Sequence, residues 1–262
     1  MTIRKPHPAA NTLQAYGRDP ISTALGHCIV CEAPATTFFA RVDDHDYWRC
    51  SACQATYLNP TQRLSQSESY ARYRQHCNDP EDAGYRHFLS KLADPLLKKL
   101  PPHASGLDYG CGPGPALACM LREAGHQVRL YDLHFLPDRE ALDTSYDFIT
   151  CTEAIEHFHR PAEEFTRFDR MLHPGGWLAL MTCFQTDDTR FASWHYRRDP
   201  THVVFYRETT LRTIARRFGW TCDIPVKDVA LMQKPHRPHP SRLTGPGNGP
   251  GSHHRLPGRP RL

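Results

Sequence analysis

The sequence has 262 residues, of which 39% are hydrophobic, enough for one core of ordinary size and a small additional unit. Its 32 basic and 28 acidic residues give a net charge of +4, but six of the basic and none of the acidic residues lie from residue 234 onward. The remainder is therefore slightly acidic, which argues against the basic folded surface typical of nucleic-acid-binding domains. No apolar run is long enough to span a bilayer and no secretory signal pattern is present, which predicts a cytoplasmic protein without membrane insertion.

The first part of the chain carries two C-x-x-C pairs. Residues 1–25 show no hydrophobic period and are predicted to form a flexible leader. The pairs Cys28/Cys31 and Cys50/Cys53 follow, eighteen residues apart, which is the spacing of structural zinc sites with four thiolate ligands. We predict a small zinc-ribbon-like module over residues 26–60, whose closed site would serve folding and not chemistry. Two redox-active pairs, or unrelated core cysteines, are the alternatives.

A polar stretch over residues 61–84 is predicted to be a linker with a helical connection. Apolar residues then recur at three- and four-residue steps from Tyr85 to Leu97, which predicts an amphipathic helix that ends before Pro101.

Strand and helix patterns alternate through the rest of the folded part. The predicted strands cover residues 106–109, 127–131, 147–151, 177–182, 202–206 and 226–232, and the predicted helices 115–124, 154–159, 162–172 and 209–218. This alternation predicts an α/β fold, a Rossmann-like doubly wound and mainly parallel sheet, over residues 85–233. Residues 234–262 contain seven prolines and five glycines, and we predict a disordered basic tail.

The stretch Leu107-Asp108-Tyr109-Gly110-Cys111-Gly112-Pro113-Gly114 places an acid at the end of an apolar strand, followed by a G-x-G-x-G turn. Glycines at such a turn let the backbone approach a ligand, and the helix that follows offers free N–H groups. A nicotinamide site usually has G-x-G-x-x-G, and here the third glycine comes one residue early. The stretch resembles motif I of the class I S-adenosylmethionine (SAM) methyltransferases, and the resemblance covers roughly residues 85–232.

This resemblance implies a cofactor site. Gly110, Gly112 and Gly114 would pass beneath the methionine part of SAM, and Asp108 would orient the turn or reach the cofactor's amino group. Asp132, at the end of the next strand, would accept hydrogen bonds from the ribose hydroxyls.

Two further residues follow strand ends at the same edge of the sheet. Leu133 and Thr152 are therefore also candidates for contact with the cofactor. Only thirteen residues, Leu133 to Ser145, separate Asp132 from Tyr146, fewer than the usual helix and third strand need. No adenine contact is assigned for that reason.

A carboxylate–histidine cluster follows the strand at 147–151. In a helix beginning there, Glu153, Glu156 and His157 would share one face. Two carboxylates and an imidazole can hold a divalent ion such as Mg²⁺ or Mn²⁺, with His202 as a fourth ligand. We predict that Glu156, His157 and His202 are the catalytic residues.

The cluster resembles the E-x-x-E-H sequence of the ubiquinone-pathway O-methyltransferases and the small-RNA 2′-O-methyltransferases. The resemblance implies an ion that anchors the acceptor's oxygens and lowers the pKa of its hydroxyl group. In the metal-free alternative, His157 or His202 would be the general base and the glutamate would pack under the cofactor loop.

The aromatic and basic segment from Trp194 to Asp199 is predicted to cover the acceptor or to form a packed lid. The sequence thus predicts a SAM-dependent methyltransferase that acts on an oxygen of a small molecule. An RNA methyltransferase that docks its substrate through the zinc module is one alternative, and a protein acceptor is another. A non-catalytic, SAM-binding zinc adaptor and, more distantly, a nicotinamide oxidoreductase are the remaining alternatives.

Overall fold

A computed structural model of the protein describes residues 26–75 and 78–236. The predicted leader, and the predicted tail beyond its first three residues, lie outside the described residues. The strands are β1 (Thr36–Val42), β2 (His45–Cys50), β3 (Thr56–Leu58), β4 (Ser105–Tyr109), β5 (Gln127–Tyr131), β6 (Tyr146–Thr152), β7 (Leu172–Met181), β8 (Val204–Phe205), β9 (Thr221–Asp223) and β10 (Val229–Gln233). The α-helices are α1 (Gln66–Tyr73), α2 (Ala83–Leu97), α3 (Ala116–Glu123), α4 (Arg139–Leu142), α5 (Pro161–Met171) and α6 (Glu208–Phe218).

The larger sheet has six strands in the order β5-β4-β6-β7-β10-β9. The first four are parallel, and β10 runs antiparallel to both of its neighbours. The strand centres are almost wholly buried, as expected for parallel strands covered by helices on both faces. The observed sheet confirms the predicted Rossmann-like α/β fold, and β5 is its edge strand because no strand forms between Asp132 and Tyr146.

The helices divide between the two faces of this sheet. Apolar residues of α2 and α3 share one buried cluster with Phe148 and Ala179 of the strands. Apolar residues of α5 and α6 share a second cluster with Ile149, Leu178 and the cysteine-bearing part of the chain. The alternation of Phe148 and Ile149 between the two clusters follows from the two-residue period of a strand.

The helix ends agree with local chemistry. Asp82 caps α2 by accepting a hydrogen bond from the Tyr85 N–H at 2.6 Å, and Ser65 forms a reciprocal capping box with Glu68 at the start of α1. Helix α5 begins with Pro161, and α6 ends at Gly219, whose φ of +70° is a conformation that favours glycine.

The smaller sheet is antiparallel with the order β1-β2-β3-β8. Its first three strands come from the cysteine-bearing part of the chain, whereas β8 lies within the range predicted for the larger sheet. The prediction that residues 202–206 join the doubly wound sheet is therefore wrong. The run of apolar residues there was sufficient to indicate a strand, but not to identify its partner.

Helix α1 lies within the segment predicted to be a linker, and it lines the cavity described below. In the part of the chain that the structure describes, no helix is both long and apolar enough to cross a membrane.

Candidate functional site

A cavity of about 1260 Å³ lies where the carboxyl ends of β4, β5 and β6 meet. Parallel strands that end at one edge of a sheet create such a crevice. The cavity is lined by all the cofactor-site residues predicted above, which are Asp108, Gly110, Gly112, Gly114, Asp132, Leu133 and Thr152. The carboxylate–histidine cluster lines it too, through Glu153, Glu156, His157 and His202.

The glycine turn is held against the end of β5. The N–H of Gly110 donates to the Tyr131 carbonyl oxygen at 2.7 Å, and the N–H of Gly112 donates to the Asp132 carboxylate at 3.0 Å. Gly110 and Gly112 have φ of +75° and +65°, which favour glycine. A Cβ added at Gly110 would lie 2.7 Å from Cβ of Ala154, so the backbone there leaves no room for a side chain.

The two acids predicted to serve the cofactor are both buried and differ in their hydrogen-bond partners. Asp108 accepts a hydrogen bond from the Thr150 hydroxyl at 2.8 Å, and burial raises the pKa of Asp108 to about 6. Asp132 accepts hydrogen bonds from the N–H groups of His134 and Phe135 at 2.8 and 3.0 Å, in addition to Gly112. Asp132 thus fixes the turn, and a carboxylate with about four acceptor positions retains room for one further donor.

The remaining two cofactor candidates face the cavity differently. The Thr152 hydroxyl is buried and has no hydrogen-bond partner among the described residues. A buried polar atom without a partner at a cavity wall is suited to contact a polar ligand. Leu133 lines the cavity and is 58% exposed.

Three side chains of the predicted cluster converge. One ligand atom from each of Glu156, His157 and His202 lies within 4.8 Å of the others. Glu156 is fully buried, and its Oε2 accepts a hydrogen bond from the Thr182 hydroxyl at 2.9 Å. Its Oε1 has no hydrogen-bond partner among the described residues and lies 3.8 Å from Nε2 of His157.

The backbone fixes the proton positions of both histidines. Nδ1 of His157 lies 3.0 Å from the Thr201 carbonyl oxygen, and Nδ1 of His202 lies 2.7 Å from the Tyr196 carbonyl oxygen. Because a carbonyl oxygen can only accept, each Nδ1 carries the proton, and each Nε2 of a neutral ring carries a lone pair. Burial lowers the pKa of His202, which keeps that ring neutral at neutral pH.

Glu153 is not part of this group. The chain leaves β6 with Glu153 at φ +48° and forms only a 3-10 turn over Ile155–His157, so the expected helix spacing does not apply. The Glu153 carboxylate instead accepts a hydrogen bond from the Tyr196 hydroxyl at 3.2 Å. Burial, followed by the charge of Glu156, raises the pKa of Glu153 to about 8.

Tyr196 and Thr182 connect the two glutamates. The Tyr196 and Thr182 hydroxyls lie 3.0 Å apart, each also bonded to a glutamate. Tyr196 was predicted only as part of a segment that covers the acceptor, and no role was predicted for Thr182. The position of Thr182 directly after β7, whose end pairs with the end of β6, is the signal that would have found it.

Helix α1 covers part of the cavity with aromatic rings. The ring of Tyr73 lies 5.2 Å from that of His157 and 5.3 Å from that of His134 on the loop after β5. The ring of Tyr70 stacks on His134 at 5.3 Å. These contacts connect the cofactor side of the cavity to the side that holds the histidines.

The four predicted zinc ligands are also together, outside this cavity. Sγ of Cys28 lies 3.7 Å from Sγ of Cys53, and Sγ of Cys31 lies 3.6 Å from Sγ of Cys50. These two contacts each join one C-x-x-C pair to the other, and all four sulfurs lie within 4.8 Å of one another. The N–H groups of Val30 and Cys53 point at sulfur atoms from 3.4 Å, an arrangement that stabilises thiolates.

Comparisons with known proteins agree with this geometry. Residues 70–223, more than half of the chain, match a family model described as a methyltransferase domain. No curated protein matches the sequence.

Solved structures that are similar to this chain include methyltransferases of low sequence identity. The 1,6-didemethyltoxoflavin-N1-methyltransferase of Burkholderia thailandensis, solved with S-adenosylhomocysteine, is 16% identical over 76% of this chain and 99% of that chain, with a TM-score of 0.44. The magnesium protoporphyrin IX methyltransferase of Synechocystis, also solved with S-adenosylhomocysteine, is 15% identical over 65% and 94%, with a TM-score of 0.43.

A third solved structure is an O-methyltransferase family protein of Burkholderia thailandensis, 15% identical with a TM-score of 0.43. That match covers 65% of this chain and 63% of the other, so the chain spans less than two thirds of that relative.

Proposed function

This chain belongs to the class I SAM-dependent methyltransferases, and from that premise we propose that it methylates an oxygen atom of a small molecule. One observation carries the proposal: the glycine turn and the Glu156/His157/His202 group line the same cavity. A methyl donor and a group that can prepare an acceptor hydroxyl would thus be held side by side.

The residues around the glycine turn fit the cofactor. The backbone at Gly110 and Gly112 offers a surface without side chains, and the Thr152 hydroxyl offers a polar atom that lacks a partner among the described residues. SAM would supply a sulfonium methyl group for in-line displacement. Asp108 would keep the turn in place through its bond with Thr150, and Leu133 would give apolar contact.

Asp132 would take one ribose hydroxyl and not both. Three backbone N–H groups already use its carboxylate, which leaves about one acceptor position. This restricts the role that the family resemblance suggests for Asp132.

We infer that Glu156, His157 and His202 hold a divalent ion. Glu156 Oε1 lacks a hydrogen-bond partner among the described residues, and one ligand atom of each histidine lies within 4.8 Å of a Glu156 carboxylate oxygen. Nδ1 of each histidine lies against a backbone carbonyl oxygen, so Nε2 is the nitrogen that carries a lone pair when the ring is neutral. Metal-binding histidines commonly donate their other N–H to a backbone carbonyl, as both do here. Two imidazoles and one carboxylate favour Mn²⁺ over Mg²⁺, which prefers oxygen ligands. Such an ion, when bound, would lower the pKa of the acceptor hydroxyl.

The same residues support a metal-free route. His202 is neutral at neutral pH and could accept the acceptor's proton at Nε2, while Tyr196 keeps the ring oriented through its carbonyl oxygen. The dependence of activity on an added ion distinguishes the two routes.

The four cysteines fit a structural zinc ion. A tetrahedral ion with Zn–S bonds of about 2.3 Å would separate its sulfur ligands by about 3.8 Å. The sulfurs of Cys31 and Cys50 are 3.6 Å apart and those of Cys28 and Cys53 are 3.7 Å apart, and all four lie within 4.8 Å of one another, as one shared ion requires.

Label transfer tests the function. Methyl-tritiated SAM is incubated with the protein and a cell extract, with and without Mn²⁺, and the extract is then separated into small-molecule, RNA and protein fractions. Label in small molecules, dependent on Mn²⁺ and absent with the Glu156→Gln/His157→Ala/His202→Ala variant, is the expected result. Label in the RNA or protein fraction would overturn the acceptor class. Absence of label from protein that binds SAM would favour the non-catalytic adaptor.

A further inference from the structure

The cysteine-bearing unit, residues 26–58, contributes directly to the strand that follows His202. Strand β8 pairs with β3, with Tyr57 opposite Val204 and Thr56 opposite Phe205. The N–H of Leu58 donates to the Val203 carbonyl oxygen at 2.9 Å, and the N–H of Val203 donates to the Glu156 carbonyl oxygen at 2.9 Å. The residue next to His202 therefore joins the cysteine-bearing unit to Glu156.

A mostly buried arginine of this unit binds the first residue of the segment 188–197. Arg49, the neighbour of Cys50, donates two hydrogen bonds to the Asp188 carboxylate at 2.5 and 2.8 Å. Its guanidinium also donates to the Thr56 hydroxyl and lies 3.8 Å from the centre of the Phe39 ring. Bidentate Arg–carboxylate pairs fix orientation as well as distance.

A second arginine holds the same segment from the other direction. Arg197 is only 6% exposed and donates to the Asp43 carboxylate at 2.7 Å, to the Tyr47 hydroxyl at 3.4 Å and to the Ala192 carbonyl oxygen at 3.0 Å. Phe191 packs edge-on against Tyr47, with ring centres 4.9 Å apart. Residues 188–197 are thus seated on the β1–β2 hairpin.

Tyr196, the neighbour of Arg197, connects the segment 188–197 to Glu153 and His202. The Tyr196 hydroxyl bonds with Thr182 and Glu153, and its carbonyl oxygen fixes the proton on Nδ1 of His202. The glycine turn, in contrast, is held by Tyr131 and Asp132, on β5 and directly after it. Apart from the ring of Tyr73, which contacts both sides, the two halves of the cavity have separate supports.

We propose that the four-cysteine unit is a positioning element for the acceptor half of the site: through β3, Arg49 and the Arg197–Asp43 pair, it sets the place of Tyr196 and His202. Metal and acceptor binding depend on it, whereas SAM binding does not. The inference rests on the proposed function for the chemistry at His202, but the positioning of that ring can be measured independently.

The test breaks the Arg49–Asp188 and Arg197–Asp43 pairs, together with the Arg207–Asp188 pair, in the full-length, zinc-loaded protein with the Asp43→Asn/Asp188→Asn variant. The matched control is Glu32→Gln, because Glu32 pairs with Arg217 of α6 and also joins the cysteine-bearing unit to the rest of the protein, but away from residues 188–197. The variant Asp188→Glu keeps the carboxylate and tests rescue.

Histidine-selective ¹⁵N NMR gives the main readout, with the His202 signal assigned from His202→Ala. In the wild type and in Glu32→Gln, His202 is expected as a single Nδ1–H tautomer, and in the double variant as a mixture of tautomers. Mn²⁺ affinity, measured by electron paramagnetic resonance, is expected to fall about tenfold in the double variant and to recover mostly in Asp188→Glu. The dissociation constant of S-adenosylhomocysteine is expected to stay within about twofold.

An unchanged His202 tautomer in the double variant would overturn the positioning inference, whatever the metal result. If the wild type binds no Mn²⁺ but the His202 tautomer still changes in the double variant, the proposed ion is wrong and the positioning inference stands. Loss of S-adenosylhomocysteine binding in the double variant would also overturn the inference, because it requires the two halves to be independent.

Discussion

Nδ1 of His202 lies 2.7 Å from the carbonyl oxygen of Tyr196, and this contact determines which nitrogen of the ring can act in the cavity. With the proton on Nδ1, Nε2 carries the lone pair of His202, and one nitrogen of this ring lies within 4.8 Å of ligand atoms of His157 and Glu156. Nε2 also lies 3.9 Å from the Asp199 carboxylate. Because burial lowers the pKa of His202, the ring keeps this form at neutral pH.

We expect Mn²⁺ affinity to depend on this group. His202→Ala and Glu156→Gln each remove one ligand, and we expect the dissociation constant of Mn²⁺ to rise about tenfold or more, which is about 1.4 kcal/mol. Electron paramagnetic resonance titration of the full-length protein measures it, and His195→Ala is the control because His195 does not line the cavity. Equal affinities for His202→Ala and His195→Ala would contradict the proposed ligand set.

The cysteine site should hold one zinc ion per chain. Elemental analysis of purified protein is expected to give about one zinc, and Cys31→Ser/Cys53→Ser about none, because two thiolates of a closed site are lost. Cys119→Ser, a change at a partly buried cysteine outside the cluster, should leave the zinc content unchanged. Full zinc content in the double variant would show that the four sulfurs do not form one site.

Glu153 should make stability depend on pH. Its pKa in the folded protein is raised from 4.5 to about 8, so the native state holds a proton that the unfolded state releases between those values. The free energy of unfolding that protonated Glu153 contributes is therefore fully present below the pKa of this group in the unfolded chain. It is lost as the pH rises toward the pKa of the group in the folded protein.

In Glu153→Gln this loss should disappear. Because the group is partly exposed and coupled to Glu156, we expect the free energy of unfolding of the wild type to fall by only about 2 kcal/mol relative to the variant between about pH 5 and pH 8. Urea denaturation at a series of pH values, without added divalent ions, measures the difference. Parallel pH profiles for the two proteins would show that Glu153 is ionised normally.

Gly114 should be required for cofactor binding. A Cβ at this position would overlap the backbone carbonyl oxygen of Asn78, so Gly114→Ala must displace the chain that covers the turn. We expect the dissociation constant of S-adenosylhomocysteine, measured by calorimetry, to rise about tenfold. Gly125→Ala is the control, because its Cβ meets no atom within 4 Å while the φ of +92° strains the backbone and lowers the stability of the protein. Its affinity for S-adenosylhomocysteine should be unchanged.

Most strands of the larger sheet, and the residues that line the cavity at its edge, were predicted from local sequence, whereas residues 202–206 were wrongly assigned to this sheet. An apolar run that ends in Asp108, a glycine turn and an acid at Asp132 determine strand ends, and parallel strand ends meet at one edge.

The acceptor half could not be predicted in the same way because its contacts are distant in sequence. Val204 pairs with Tyr57, and Arg49 bonds to Asp188, 139 residues further along the chain. The role of Glu153 was obscured by its φ of +48°, since helical spacing assumes a conformation that this residue does not adopt.

The most direct test of the account is methyl transfer by the Glu156→Gln/His157→Ala/His202→Ala variant, assayed with the acceptor fraction that the wild type labels. The account predicts that S-adenosylhomocysteine binding, measured in parallel, stays within about twofold of the wild type while label transfer falls at least about a hundredfold. Undiminished transfer by a variant that binds the cofactor normally would contradict the claim that these three side chains carry the reaction.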